Sequence, residues 1–401
     1  MATSFEAAVK TILDNVAPLG QERVPLLDAG GRVLGEPVRA PWDMPQWDNS
    51  AMDGYALRIA DLGTLPATLP VRGYVPAGGE PLEAVEPGCA VKIMTGAPIP
   101  NGCDVVVPFE ETEERDGRVT IRGPVKRREH IRFRGEDVPA GELVIPAGTV
   151  LRPAEINLLA YYSRAFVPVH RRVRVAILST GDELVELGEP LGPGKIINSN
   201  ALSLAAAVRE IGGEPLLLGI ARDNLESHRE KLRAGLQADV LITSAGVSAG
   251  DRDLVRDVLA ELGVRQLFWK IDIKPGRPTA FGLKGQTPVF SLPGNPVSTM
   301  ITFEEFVRPA LLKMMGHSEV IKPFVRAVLK EPVRKKAGRV HFLRVQVRSD
   351  GGQLTVSSSG DQNTGILRTM VRANGIAVLP ADLEEIAAGT EVNVHLIGWS
   401  P

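Results

Sequence analysis

The chain has 401 residues, 44% of them hydrophobic and 23% charged, which is the composition of a globular protein with about two to four domains. Its 46 basic and 48 acidic side chains nearly cancel, and this balance disfavours nucleic-acid binding over a wide surface. No apolar run reaches about 18 residues, so we expect no transmembrane helix and no membrane partner. The two cysteines, Cys89 and Cys103, cannot form a disulfide framework, and the six histidines lack the paired spacing of a zinc site.

The N-terminal segment predicts an amphipathic helix rather than a signal peptide. Residues 3–6, with the sequence Thr-Ser-Phe-Glu, have the pattern of a capping box, and the apolar residues that follow share one helical face. A signal peptide would instead show a basic start and an uninterrupted apolar core. Together with the cysteine content, this pattern predicts a cytoplasmic protein.

Residues 57–138 consist of short alternating strands broken by proline and glycine, which predicts a small β-rich domain. The preceding run DNSAMDGYA predicts a structured loop leading into a strand, although its composition fits a plain turn equally well. Thr95 lies in a tight loop that follows a predicted strand. The basic run at 126–134 fits either a solvated strand face or an oxyanion site, and residues 139–172 predict a return to helix.

From Val173 onward, buried strands alternate with helices, which predicts a three-layer, doubly wound α/β domain. Acidic residues follow successive strands at Glu183, Asp223 and Asp253. One such carboxylate is ordinarily a helix cap, whereas three that converge on one edge of a sheet favour a metal–phosphate site.

Residues 239–300 contain three apolar runs that each end in a loop of small, polar and charged residues. Such runs are typical of buried strands in a mostly parallel sheet, whose ligands lie at the carboxyl ends. Gly246 and Gly250 allow backbone N–H groups to approach an anion, while Lys274 and Arg277 add positive charge. The alternative interpretation is that these loops only connect strands and bind no ligand. The LPGNPVS turn precedes a long predicted helix, Val297 to Met315.

After residue 316, the hairpin patterns predict a small β-barrel or sandwich of about 75 residues. Residues 361–374 predict a loop and a helix that face a ligand.

Nine short motifs, in this order, resemble those of the MoeA-type molybdopterin molybdenumtransferases, whose relatives include the gephyrin E domain. They are NSAMDGYA, TGAPIP, GEDV, STGDEL, GVSAGD, KPGRP, LPGNPVS, GRVHFLRV and RANG. The resemblance implies a multidomain α/β protein with four domains. These are a discontinuous helical linking domain (1–48 and 139–172), an inserted β-rich domain (49–138), a three-layer molybdopterin-binding α/β domain (173–316) and a C-terminal β-barrel (317–401).

The same resemblance implies the last step of molybdenum cofactor biosynthesis, in which molybdate is inserted into adenylylated molybdopterin and AMP is released in a Mg²⁺-dependent reaction. It implies a homodimer in which Asp53 and Thr95 serve the site of the neighbouring subunit. Its further partners would be a molybdopterin adenylyltransferase and molybdoenzymes or their chaperones.

The residues expected at this site fall into three groups. The catalytic candidates are Asp53, Thr95, Asp137, Glu183, Asp223, Asp253 and Lys274. The candidates for binding the substrate or nucleotide are Thr180, Asp182, Gly246, Ser248, Arg277, Pro293, Asn295, Arg339 and Thr364, and the candidate Mg²⁺ ligands are Glu183 and Asp253.

Three positions depart from the family pattern. Ala245 replaces one of two usual glycines, Arg277 stands where lysine is frequent, and Thr364 precedes Gly365 where serine is usual. Two other interpretations remain: a non-catalytic dimeric scaffold of the same family, and a different nucleotide hydrolase on the α/β fold. The hydrolase would not need Asp53, Thr95 or Asp137. The residues do not distinguish molybdate from tungstate, since both are tetrahedral oxyanions.

Overall fold

A computed structural model of the chain describes residues 2–80, 84–246 and 254–397, which form two compact units. The larger unit comprises Met1–Gly35, Gly148–Arg152 and Phe166–Pro401, and the smaller unit comprises Glu36–Ala147 and Pro153–Ala165. No helix within the described ranges is long and apolar enough to cross a membrane.

The elements are labelled in chain order. The α-helices are α1 (Phe5–Asp14), α2 (Pro153–Tyr161), α3 (Ser199–Glu210), α4 (Leu225–Gly235), α5 (Leu254–Glu261), α6 (Pro296–Thr302), α7 (Arg308–Met314) and α8 (Arg368–Arg372). The strands are β1 (Gln21–Pro25), β2 (Val38–Arg39), β3 (Asn49–Ser50), β4 (Gly54–Leu57), β5 (Ala67–Val75), β6 (Ala90–Ile93), β7 (Val105–Pro108), β8 (Thr112–Arg115), β9 (Arg118–Ile121), β10 (Ile131–Arg132), β11 (Leu143–Ile145), β12 (Phe166–His170), β13 (Arg174–Thr180), β14 (Leu184–Val185), β15 (Ile196–Ile197), β16 (Glu214–Ala221), β17 (Val240–Ser244), β18 (Arg265–Phe268), β19 (Ile273–Lys274), β20 (Ala280–Lys284), β21 (Thr287–Leu292), β22 (Phe324–Leu329), β23 (Val333–Arg334), β24 (Val340–Asp350), β25 (Gln353–Ser358), β26 (Gly375–Leu379), β27 (Glu385–Ile386) and β28 (Glu391–Leu396).

The predicted N-terminal helix is confirmed as α1. The Ser4 hydroxyl accepts a hydrogen bond from the Ala7 backbone N–H at 3.2 Å, which satisfies one of the unpaired donors of the first turn. The ring of Phe5 packs edge-on against Phe306 and Phe342, with centroids 5.6 and 5.3 Å away. The apolar face of α1 therefore belongs to the core of the larger unit.

The predicted β-rich segment forms a six-stranded sheet in the smaller unit, with the order β7-β4-β6-β5-β9-β8. Its core contains Tyr55, Val107 and Ile121, all nearly inaccessible to solvent. Gly54 begins β4, as the loop-then-strand prediction requires, and a Cβ at this position would collide with the backbone carbonyl of Val107. Only glycine permits the close pairing of β4 and β7 here.

The prediction of helix over 139–172 is wrong for most of that segment. Only α2 is helical, while β11 and β12 occupy much of the rest. The run from Phe166 to His170 contains β-branched valines and a proline, and it pairs antiparallel with β1. Tertiary pairing and β-propensity outweigh helix propensity in this stretch.

The predicted doubly wound domain is confirmed by a six-stranded sheet with the order β16-β13-β17-β21-β20-β18. Strands β16, β13, β17 and β21 are parallel, and β20 is antiparallel to both of its neighbours, β21 and β18, so β18 runs in the same direction as the first four. Side chains of β13 alternate between two buried layers: Val175 and Ile177 join the core that contains α3 and α6, whereas Ala176 and Leu178 join the core that contains α4 and α5. Burial on both faces explains the uninterrupted apolar run in the sequence.

The expectation that the KPGRP loop leaves the carboxyl end of a strand in this sheet is wrong. Strand β18 of this sheet already ends at Phe268, and Lys274 lies in β19, which pairs in parallel with β24 of the C-terminal barrel. An apolar run identifies a buried strand but does not identify the sheet that it joins.

The predicted long helix runs from Pro296 to Met314, but it is not a uniform α-helix. Between α6 and α7, residues Phe303–Val307 form a π-helical turn. Within this turn the buried Glu305 carboxylate contacts the Nδ1 atom of His395 at 3.0 Å.

The predicted C-terminal barrel is confirmed. Strands β24, β25, β22, β28 and β26 form a closed ring, because β26 also pairs with β24. Outside the ring, the guanidinium of Arg344 is completely buried, and its Nε donates to the Thr369 hydroxyl at 2.7 Å. Its Nη2 donates to the backbone carbonyls of Asp361 and Asn363, so this arginine fixes the loop after β25.

The collision at Gly54 generates a stability prediction. Gly54→Ala should lower the free energy of unfolding by about 1–3 kcal/mol, because the new methyl group meets backbone rather than a flexible side chain. Thermal unfolding measures this loss. The matched control is Gly123→Ala, since nothing lies within 4 Å of a Cβ at Gly123. Equal unfolding temperatures for the two variants would contradict the prediction.

Candidate active site

A carboxylate and a hydroxyl meet where two strands of the smaller unit end. Strands β4 and β6 are antiparallel neighbours, so Asp53, before β4, lies beside Thr95, after β6. The backbone N–H and the hydroxyl of Thr95 each donate to the Oδ1 atom of Asp53 at 2.7 Å. These two hydrogen bonds, the backbone bond first, lower the pKa of Asp53. At neutral pH Asp53 is therefore an exposed, oriented carboxylate.

The structure does not add Asp137 to this pair. Asp137 is exposed, its backbone N–H donates to the Met44 carbonyl at 3.1 Å, and no hydrogen bond between described residues joins it to Asp53 or Thr95. The neighbouring basic run is also engaged: Arg134 contacts Asp43 at 2.5 Å and Arg127 contacts Asp104 at 3.1 Å. These ion pairs favour the structural interpretation of the 126–134 segment.

Two carboxylates meet at the carboxyl edge of the α/β sheet. The Asp223 backbone N–H donates to the Asp182 carboxylate at 3.2 Å, and the Asp182 backbone N–H donates to the Asp223 carboxylate at 3.3 Å. The Glu183 carboxylate instead lies against Gly181, where a Cβ would collide with it. The buried Thr180 ends β13 at the same edge. The structure thus joins Asp223 to Asp182 rather than to Glu183.

The predicted Mg²⁺ ligands are Glu183 and Asp253. Asp253 and Ser248 lie outside the described residues, and within the ranges 2–80, 84–246 and 254–397 no three metal-ligating side chains cluster in a way that could hold an ion. The donors present at the sheet edge are carboxylate oxygens, the ligand type that Mg²⁺ prefers. Mg²⁺ needs only one or two carboxylates together with water and substrate phosphates, so the residues present fit this ion.

The loop after β17 adopts left-handed backbone conformations. Gly246 has φ of +75°, and a Cβ there would collide with the Val255 side chain and lie 3.3 Å from the Thr180 hydroxyl. Ala245 has φ of +74°, a conformation that glycine adopts without strain. The family resemblance pointed to this position because Ala245 replaces a usual glycine. In the structure, alanine occupies a position whose backbone has a positive φ.

Asn200 lies at this edge of the sheet, and the sequence interpretation did not select it. Its Nδ2 donates to the Ser244 hydroxyl at 2.9 Å and to the Gly294 carbonyl at 2.8 Å. One side chain therefore holds together the ends of β17 and β21, two adjacent parallel strands. Its Oδ1 is buried without a hydrogen-bond partner among the described residues. An Asx residue at the start of a helix gives no sequence signal for such a bridge.

The loop after β21 also reaches the barrel. The Nδ2 of Asn295 donates to the hydroxyl of Thr364 at 3.0 Å, and the buried Pro293 carbonyl accepts from Thr299 at 2.5 Å. Three of the predicted residues, Pro293, Asn295 and Thr364, are thus brought together within the larger unit.

A cavity of about 510 Å³ opens at the end of the barrel. Lys274 and Thr364, two predicted residues, line it together with Arg334 and His341, which the sequence interpretation did not select. Arg277, in contrast, lies 4.0 Å from the Asp272 carboxylate and does not line this cavity. The site thus has two groups of residues in the larger unit, one at the sheet edge and one at the barrel.

The Asp53–Thr95 pair generates a titration prediction. Thr95→Val removes the hydroxyl donor and keeps the backbone donor, so the pKa of Asp53 should rise partly towards its usual value. Carboxylate NMR over a pH titration measures this change. Thr68→Val, which removes another threonine hydroxyl from the same unit, should leave the pKa of Asp53 unchanged. An unchanged pKa in Thr95→Val would refute the hydrogen-bond explanation.

The strained backbone at Ala245 generates a second prediction. Ala245→Gly should increase the free energy of unfolding by up to about 1 kcal/mol, since the left-handed conformation costs a residue with a Cβ about that much. Thermal unfolding measures the gain. The control is Ala234→Gly in the exposed part of α4, where glycine should be destabilising. A loss of stability in Ala245→Gly would contradict the prediction.

Family models match three consecutive parts of the chain. The MoeA N-terminal region (domain I and II) matches residues 3–163, a probable molybdopterin binding domain matches residues 176–313, and the MoeA C-terminal region (domain IV) matches residues 326–397.

Relatives match along nearly the whole chain. A Mycobacterium tuberculosis protein named molybdopterin molybdenumtransferase 2 is 40% identical over 381 residues, which are 92% of this chain and 94% of its own. A Haemophilus influenzae molybdopterin molybdenumtransferase is 38% identical over 99% of this chain and 100% of its own. The crystal structure of the molybdopterin biosynthesis MoeA protein from Pyrococcus horikoshii is 32% identical, with a TM-score of 0.84 over 99% of this chain and 100% of that one. The chain belongs to the MoeA family.

Proposed function

We propose that this chain is a molybdopterin molybdenumtransferase, which inserts molybdate into adenylylated molybdopterin and releases AMP in the final step of molybdenum cofactor biosynthesis. The geometric observation that carries this proposal is the hydrogen-bonded pair of Asp53 and Thr95. A nucleotide hydrolase built on the α/β domain alone would not need an oriented carboxylate in the smaller unit. Curated relatives carry the enzyme's name, and nothing favours the scaffold interpretation.

The α/β sheet edge supplies what a nucleotide phosphate requires. Asn200 joins the end of β17 to the loop after β21, and Gly246 allows backbone N–H groups to approach an anion closely. Helix α5, which begins at Leu254, is the next described element after β17. The Thr180 hydroxyl lies beside Gly246, within reach of a phosphate oxygen. We assign this edge to the pyrophosphate of the substrate.

Asp53 is suited to orienting a water molecule rather than to donating a proton. Its pKa is lowered, so it is ionised at neutral pH and can accept a hydrogen bond from the water that attacks phosphorus. Thr95 holds one oxygen of the carboxylate in place and leaves the other available. The attack breaks a P–O bond of the pyrophosphate, and AMP leaves.

The barrel cavity is assigned to molybdate or to the pterin phosphate. Lys274 and Thr364 line it and offer a positive charge and a hydroxyl donor. Arg339 directly precedes β24, and its positive charge contributes to the lowered pKa of His341 in this cavity. These residues bind and neutralise an oxyanion.

Several further features are part of the proposal. Mg²⁺ would be held by Glu183 and Asp253, with Asp182 and Asp223 beside it, and would neutralise charge that develops on the phosphates. Two subunits would share each site, with Asp53 and Thr95 of one subunit completing the site of the other. The cytoplasm is the proposed location. We retain the four-domain division at 1–48 with 139–172, 49–138, 173–316 and 317–401.

The decisive experiment measures AMP release from adenylylated molybdopterin and Mg²⁺, with and without molybdate. The wild-type protein should release AMP in a molybdate-dependent manner, and Asp53→Asn should reduce the rate by at least about 100-fold because the oriented carboxylate is lost. The matched control is Asp116→Asn, which changes an exposed carboxylate of the same unit whose ion-pair partner is its neighbour Arg115. Absence of AMP release from folded wild-type protein would overturn the proposed function.

A further inference from the structure

His341 points into the open end of the C-terminal barrel. Side chains of a strand alternate between its two faces, and Leu343 and Val345, on the same face as His341, belong to the barrel's own hydrophobic cluster. Phe342 and Arg344 face the other way, towards α1 and towards the loop after β25. His341 is half-buried and lines the cavity of about 510 Å³. Its ring makes no hydrogen bond with any residue that the structure describes.

Positive charges surround this imidazole on several sides. Lys274 is its direct partner in the parallel pairing of β19 with β24. The Nζ atom of Lys335 lies 3.4 Å from the carbonyls of Arg339 and Ala381, and its charge acts on the pKa of His341.

Other charged groups are close by. Arg339 precedes β24, and Arg334 and Asp361 also line the cavity. The residue paired with His341 on β26 is the apolar Leu379.

Burial and the three cations Lys335, Lys274 and Arg339 lower the pKa of His341 to about 4. At neutral pH the ring is therefore uncharged while the cavity is empty. A tetrahedral dianion that enters the cavity would offset the surrounding positive charge. It would also stabilise the protonated ring by direct attraction, so that the pKa of His341 rises when the anion is bound.

We propose that His341 is the proton carrier of this cavity, which takes up a proton when an oxyanion binds and delivers it to an oxygen of that anion. The inference rests on the proposed function only for the identity of the anion. It assigns a role to a side chain that lies within the GRVHFLRV motif but was not among the predicted site residues.

The proposed reaction includes a step that requires a proton. When molybdate reacts with the dithiol of molybdopterin, two metal–sulfur bonds form, two S–H bonds break and one metal–oxygen bond breaks. The departing oxygen leaves as water with two protons, which equals the number released by the two thiols, and no electron is gained or lost. Protonated His341 can give its proton to the departing oxygen and regain one from a thiol, so the ring ends in the state in which it began.

The test measures anion binding by the full-length protein with calorimetry. Repeating the measurement in buffers of different ionisation enthalpy gives the number of protons taken up per anion. Sulfate and molybdate are the probes, and sulfate remains a dianion throughout the range. Between about pH 5 and pH 8, where lysine and arginine do not titrate, wild-type protein should take up at most one proton per anion. Sulfate affinity should rise as pH falls, by at most tenfold per pH unit, because the protonated ring favours the anion.

His341→Gln keeps a polar side chain that cannot titrate, so it should bind sulfate with an affinity that no longer depends on pH. The control is His317→Gln, which removes another histidine of the larger unit whose pKa is lowered by burial and should keep the wild-type pH dependence. An NMR titration of the His341 ring should show its pKa rising from about 4 when sulfate is added.

The outcomes separate this inference from the proposed function. Molybdate-dependent AMP release from a protein that binds sulfate without proton uptake would leave the function intact and overturn the role of His341. Proton uptake that disappears in His341→Gln, in a protein that releases no AMP, would establish the proton-coupled anion site and overturn the function. Failure to bind either anion would also overturn the inference.

Discussion

The loop at residues 293–295 is the point on which the larger unit's site depends, because its hydrogen bonds link the α/β sheet edge, through Asn200, to the loop after β25, through Thr364. Its Gly294 carbonyl accepts from Asn200, which also holds the end of β17, and its Asn295 donates to Thr364 of the barrel. Each bond contributes about 1 kcal/mol to stability, which is modest, but their directions fix geometry. The α/β sheet edge and the barrel cavity therefore keep a defined relation through one short, proline-flanked turn.

Two features near this turn, a strained backbone and a buried charged side chain, are expected to lower the stability of the fold. Ala245 holds a left-handed backbone conformation, and Arg344 is fully buried with no ion pair to any carboxylate that the structure describes. Burial lowers the pKa of Arg344, yet its hydrogen bonds to Thr369 and to two backbone carbonyls satisfy the guanidinium. Strain and buried polar groups of this kind persist where the surrounding structure over-determines them, which is typical of functional sites.

The sequence predicted those helices and strands that are determined by residues close together in the chain. It did not predict contacts that depend on the pairing of distant segments. The α/β strands and the cap of α1 follow from hydrophobic runs and from Ser4. The pairing of β19 with β24 and that of β12 with β1 have no local signal, so KPGRP and the 139–172 segment were misplaced. Motifs located Asp53 and Thr95, whereas the contacts of Asn200 and the cavity position of His341 become visible only when three-dimensional neighbours are known.

The discontinuous larger unit has a consequence for how the protein is made. Phe5 of α1 packs against Phe306 and Phe342, and β1 pairs with β12, so the N-terminal helix cannot find its partners until most of the chain has left the ribosome. At about 5–20 residues per second, this delay is on the order of tens of seconds. During that time the apolar face of α1 remains exposed on the nascent chain, where a chaperone that recognises amphipathic helices would find it before the native core does.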